Sequence, residues 1–166
     1  MLTVGGPAPD FSLQDGDGNT VSLRQLRGQR VVLYFYPKDD TPGCTKEACS
    51  FRDEFSRFKK ANAVIYGVSR DHAASHQRFT QKYKLPFPLL SDPDAAVCKA
   101  YGVWKEKSLY GRLFLGIERS TFVIDEHGRI AAIFPKVKVD GHSDEIYEAL
   151  TAPASAAPSG ASASRR

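Results

Sequence analysis

The chain has 166 residues, 42% hydrophobic and 25% charged, which is the composition of one ordinary globular domain; it excludes both a chain disordered throughout and two full domains. Three cysteines are under about 2% of the residues, far below the roughly 8–10% of a disulfide scaffold, so cysteine here serves chemistry or packing. The net charge is +4, from 23 Lys and Arg against 19 Asp and Glu, and without Arg165 and Arg166 at the end of the chain the 21 remaining cations leave only +2, too weak a field to argue for a nucleic-acid partner.

The first residues, MLTVGGPAPDF, lack the basic segment and apolar stretch of an export signal. Phe11 to Leu23 alternates apolar and polar residues around a DGDGN turn, which predicts an N-terminal β-hairpin. Residues 30–36, RVVLYFY, predict a strand buried on both faces. Val31 to Tyr36 is the longest apolar run, far short of the roughly 20 residues of a membrane span, so the expectation is a cytoplasmic protein with no membrane partner. Thr41 as N-cap and Pro42 at the first helical position then open a helix through CTKEACSFRDEFSRFKK, with Phe51, Phe55 and Phe58 at helical spacing.

A strand follows at 63–69, a helix at 71–84, a short strand at 87–92 and a helix around 95–101. STFVID at 120–125 and IAAIF form a second hairpin through the EHGR turn, and a helix at about 143–150 closes the pattern. Strands alternating with helices, flanked by antiparallel hairpins, predict a three-layer α/β domain with a mixed central sheet over residues 1–150. Residues 151–166 hold no apolar side chain larger than Ala and are expected to form a disordered tail.

The residues richest in chemistry are TPGCTKEAC, 41–49. With Thr41 as N-cap, Cys44 falls in the first helical turn, where unpaired N–H groups and the positive end of the macrodipole favour a thiolate by about 0.3–1 kcal/mol. A nearby cation is needed for more. The position after a buried strand, behind a Pro-Gly turn, is where α/β domains place their sites; a lone cysteine is otherwise a packing residue. Cys49 lies five residues on. In a wound helix the two are about 140° apart around the axis with Cα atoms roughly 8.6 Å apart, whereas a disulfide needs about 6.8 Å or less. A Cys44–Cys49 bond therefore requires the first turns to unwind.

YFYPKDDTPGCTKEACSFRD resembles the active-site segment of the peroxiredoxins, and specifically of the bacterioferritin-comigratory, or Q-type, subfamily. The family pattern Pro-x-x-x-Thr-x-x-Cys is met by Pro37, Thr41 and Cys44, and the subfamily's second cysteine by Cys49. WKEKSLYGRLFLGIERSTFVID is similar to the family's second block, whose arginine is Arg119 here. The likeness covers about residues 5–150. It implies a thioredoxin-like fold and a thiol-dependent peroxidase with no cofactor, acting on hydrogen peroxide and organic hydroperoxides. In that scheme Cys44 is the peroxidatic thiolate, oxidised to a sulfenic acid, and Cys49 the resolving thiol of an intramolecular Cys44–Cys49 disulfide. Arg119 supplies the cation, Thr41 and the Gly43 and Cys44 amides complete the donors, and Pro37 shapes and shields the loop. Thioredoxin or a similar dithiol recycles a monomeric enzyme. Because acidifying a thiol also lowers its nucleophilicity, the donors around the peroxide must carry most of the acceleration.

The alternatives are a redox-switched binding protein and a general thiol–disulfide oxidoreductase, the latter disfavoured by the absence of CxxC. Cys98, in a helical pattern with Val97 and Tyr101, reads as packing and is the rival to Cys49. His72 and His76 have metal-binding i, i+4 spacing but no HExxH, and are expected on a solvated helix face. A zinc site from the three cysteines lacks paired CxxC spacing. Lys105, Lys107, Arg112, Lys136 and Lys138 do not make a nucleic-acid patch at this net charge.

Overall fold

The computed structural model describes residues 2–151. Its strands are β1 (Ser12–Asp15), β2 (Thr20–Ser22), β3 (Arg30–Phe35), β4 (Ala63–Ser69), β5 (Leu89–Ser91), β6 (Trp104–Leu109), β7 (Arg112–Ile117), β8 (Ser120–Ile124) and β9 (Ile130–Phe134). The helices are α1 (Pro42–Asp53), α2 (Phe55–Lys60), α3 (Ala73–Tyr83), α4 (Ala96–Ala100) and α5 (His142–Thr151). Seven strands form one mixed sheet in the order β2-β1-β5-β4-β3-β8-β9. β5, β4 and β3 run parallel, and antiparallel pairs flank them on both sides. Helical connections carry the chain between the parallel strands, as such pairing demands.

β3 lies at the centre because it is apolar on both faces. Val32, Tyr34 and Tyr36 join one core layer, with Phe51, Phe58, Phe79 and Ile146. Val31, Leu33 and Phe35 join the other, with Val68, Cys98, Tyr101 and Phe122. The alternation follows from the twofold side-chain period of a strand. The sheet thus separates Cys44, in the first layer, from Cys98, in the second.

Five expectations change. The helix opening at Thr41 is two helices, α1 and α2, broken at Glu54, whose φ of −101° and ψ of 5° leave helical geometry. A separate hairpin, β6–β7, occupies 104–117, where the sequence showed basic residues among aromatics. Its two-residue turn, Tyr110-Gly111, has φ of 52° and 78°, the left-handed pair that hairpin twist requires and that Asn-Gly announces more openly. Thr41 occupies the N-cap position but its side chain does not cap the helix. His76 is fully buried rather than solvated, while His72 is exposed as expected. α5 runs through Thr151, and the rest of the expected tail, 152–166, lies outside the described residues.

Candidate active site

The end of β3 delivers the chain into the loop Pro37–Thr41, and α1 starts directly behind it. Cys44 is on the inward side of the first turn, its residue only 2% exposed. Pro42 contributes no N–H at the helix start, and no side chain caps the turn, so the amides of the first turn face the site without an internal acceptor. The Thr41 hydroxyl donates instead to the Lys38 carbonyl at 2.9 Å, which leaves the oxygen's lone pairs to accept from an incoming group.

Arg119 arrives from the short link between β7 and β8. Its Nη2 donates to Cys44 Sγ at 3.3 Å and its Nη1 to Glu47 Oε1 at 2.6 Å. The guanidinium fork is suited to two acceptors at once, as an ammonium is not. Gly43 makes room for it: a Cβ there would stand 3.2 Å from Arg119 Nη2. Burial alone would lower the Arg119 pKa, but the Glu47 carboxylate and the Cys44 sulfur together raise it. The arginine holds its charge between two acceptors.

Glu47 sits one helical turn after Cys44, on the same face of α1, and is 1% exposed. Its Oε2 is buried without a hydrogen-bond partner among the described residues. Burial raises its pKa from 4.5 to about 7, against the opposing pull of Arg119. Beneath lies Tyr34, its hydroxyl pushed well above the usual phenol range by burial, then by Glu47 and Cys44. On the hairpin side, Lys107 Nζ donates to the Ile117 carbonyl at 2.7 Å, two residues before Arg119. Burial and then Arg119 lower its pKa, while Cys44 and Glu118 oppose the shift.

The structure therefore brings Cys44, Arg119 and Thr41 to one end of the sheet, with exposed Pro37 at the rim. Cys49 lies half-buried further along α1, a free thiol. Cys98 is fully buried across the sheet, its N–H donating to Asp92 at 2.8 Å, and burial drives its thiol pKa far upward. Among the described residues no cluster of His, Cys, Asp and Glu is arranged for a metal ion, and no helix is long and apolar enough to cross a membrane. Glu47 was not singled out by sequence reasoning, although its i, i+3 spacing from Cys44 is the signal that marks it.

The site is thus a thiol held by an arginine at an uncapped helix start, over a mixed sheet. The model described as the AhpC/TSA family matches residues 4–133, and the chain belongs to that family. Relatives place it with the Bcp, or Q-type, peroxiredoxins, which are thiol peroxidases. Peroxiredoxin Bcp of Bacillus subtilis is 47% identical over 149 residues, covering 90% of this chain and 95% of that protein. Peroxiredoxin Bcp of Escherichia coli is 46% identical over 149 residues, with 90% and 96% covered. A structure of Xanthomonas campestris bacterioferritin comigratory protein, studied for its alkyl peroxide reduction activity, has 44% identity and a TM-score of 0.85, covering 90% of this chain and 98% of that one. The thioredoxin-like fold is shared with these structures.

Proposed function

We propose that Cys44 is the peroxidatic nucleophile, Cys49 its resolving partner, and hydrogen peroxide and organic hydroperoxides the substrates. The observation that carries this reading is the 3.3 Å hydrogen bond from Arg119 to a buried sulfur in an uncapped first helical turn. The Cys44 thiolate attacks the distal peroxide oxygen; an S–O bond forms, the O–O bond breaks, and the leaving oxygen takes a proton to depart as water or an alcohol. Arg119 and the amides of Gly43 and Cys44 stabilise the charge that moves onto the oxygens, and the Thr41 oxygen accepts the peroxide O–H. Pro37 shields the product sulfenic acid at the rim.

The Cys49 thiol then attacks the sulfenic sulfur, expelling water and forming the Cys44–Cys49 disulfide. Helix geometry requires α1 to unwind for this step, by the distances given above. The placement of Cys98 on the far side of the sheet supports Cys49 over it. Thioredoxin or a similar dithiol reduces the bond and is itself oxidised. A monomer is the working unit in this scheme, and dependence on a dithiol supports the cytoplasm.

Coupled turnover with thioredoxin, its reductase and NADPH tests the scheme across hydrogen peroxide and organic hydroperoxides. Steady peroxide-dependent NADPH loss, abolished in Cys44→Ser, is expected. A single stoichiometric oxidation without turnover would refute the thioredoxin-recycled scheme. Mass spectrometry of peroxide-treated, alkylated protein is expected to show a Cys44–Cys49 linkage, and a Cys44–Cys98 linkage would remove Cys49 from the role.

A further inference from the structure

Behind the loop Pro37–Thr41 lies a buried polar cluster that the peroxide chemistry does not use. Asp39, five residues before Cys44, is buried, and so is His76 on α3. The Asp39 carboxylate receives the Tyr36 hydroxyl at 2.6 Å, the Ser75 hydroxyl at 2.8 Å and the His76 ring at 2.7 Å. Its backbone N–H donates to Asp71 Oδ2 at 2.8 Å, and Asp71 is in turn fixed by the Ser69 hydroxyl at 2.7 Å. The other ring nitrogen of His76 meets the Leu90 carbonyl on β5 at 3.0 Å. A carbonyl only accepts, so Nε2 donates to Leu90, while Nδ1 shares a hydrogen bond with the Asp39 carboxyl. His76 is thus braced on the sheet and holds the loop. Next along, Asp40 has a φ of 55°, unusual outside glycine. Its carboxylate takes Lys82 Nζ at 2.8 Å and the Tyr83 hydroxyl at 3.0 Å, also from α3.

We propose that His76 is a positioning residue for the peroxide reaction: through Asp39 it locks the Pro37–Thr41 loop to α3, and so holds Thr41 and the first-turn amides of α1 in reacting register. This rests on the reading of Cys44 as nucleophile. The clamp ends one residue before the N-cap, so it fixes the loop side of the site. A displacement of about 1 Å in such a site costs on the order of a hundredfold in rate.

The two amide replacements of His76 separate positioning from packing. His76→Asn places its N–H₂ where Nδ1 was and keeps the bond to Asp39; His76→Gln reaches the Leu90 carbonyl and loses Asp39. Reduced protein is mixed with limiting hydrogen peroxide, and loss of the Cys44 thiol is followed by quenched alkylation and mass spectrometry, beside thermal unfolding. The expectation is a rate constant within about threefold of wild type for His76→Asn and about tenfold to a hundredfold lower for His76→Gln, at similar melting temperatures. Equal rates in the two variants would overturn the proposal. Should both fail to fold, Ser75→Ala removes one donor to Asp39 without disturbing the ring; severalfold slower oxidation supports the clamp, and a wild-type rate overturns it. Peroxide consumption persisting in Cys44→Ser would overturn the nucleophile assignment, a result distinct from the His76 comparison.

Discussion

Replacing Glu47 by Gln isolates a buried carboxyl whose proton is held by the fold. The amide keeps an oxygen for Arg119 Nη1 and nearly the same shape, but it cannot ionise. In the folded protein burial raises the Glu47 pKa to about 7, against 4.5 in the open chain. Between these values the unfolded state has lost the proton that the folded state retains, so stability falls as pH rises through the window. The contribution is fully present below 4.5 and gone above about 7. A proton bound in the folded state alone makes stability fall by about 1.4 kcal/mol for each pH step of one, so between pH 5 and pH 7.5 this group loses about 2 kcal/mol. Urea unfolding of the reduced protein at both pH values measures it. Wild type is expected to lose about 2 kcal/mol more than Glu47→Gln over that interval. Parallel losses in the two proteins would refute the claim that Glu47 takes up its proton within the fold.

Four further outcomes follow from the same geometry. Gly43→Ala sets a methyl 3.2 Å from an Arg119 nitrogen pinned on both sides, and stopped-flow oxidation is expected to slow about tenfold or more as the guanidinium is displaced. Arg119→Lys offers one point charge to two acceptors and is expected to lower the peroxide rate constant by about 10²–10³. Cys49→Ser is expected to accumulate the Cys44 sulfenic acid, trapped by dimedone, with no intramolecular disulfide on non-reducing mass analysis. Phe51→Ala empties the space between Tyr34 and Phe58, with ring centroids at 4.9 Å and 6.0 Å, and is expected to cost about 3–5 kcal/mol in urea unfolding.

How much of this was legible in the sequence depended on how local the cause was. β3 announces itself because burial on both faces leaves an unbroken apolar run, and α1 because Pro42 and the phenylalanines carry helical punctuation. Cys44 and Arg119 could be named from two separated motifs, but their 3.3 Å contact is made by the β3–β8 pairing, which links residues far apart in sequence. The buried His76 was missed for a definite reason. It lies three residues before Phe79, on the same inward face of α3, and periodicity treats a polar side chain there as a sign of solvent. Its partner, Asp39, is 37 residues away, so no local pattern announces the bond. The β6–β7 hairpin was missed because its turn uses Tyr110 in a left-handed conformation, which few sequences advertise. The break at Glu54 separates two stretches that share one phenylalanine spacing, and only packing divides them.

The sheet that puts Cys98 in a different layer from Cys44 also gives the protein an internal standard. Cys98 is wholly enclosed and its thiol is held in the unreactive protonated form. In the folded chain it is one silent sulfur, so any thiol lost to mild oxidation belongs to the α1 pair, and the appearance of Cys98 in an alkylation experiment reads out global opening of the domain. One reagent thereby reports redox state and integrity of the fold on separate channels.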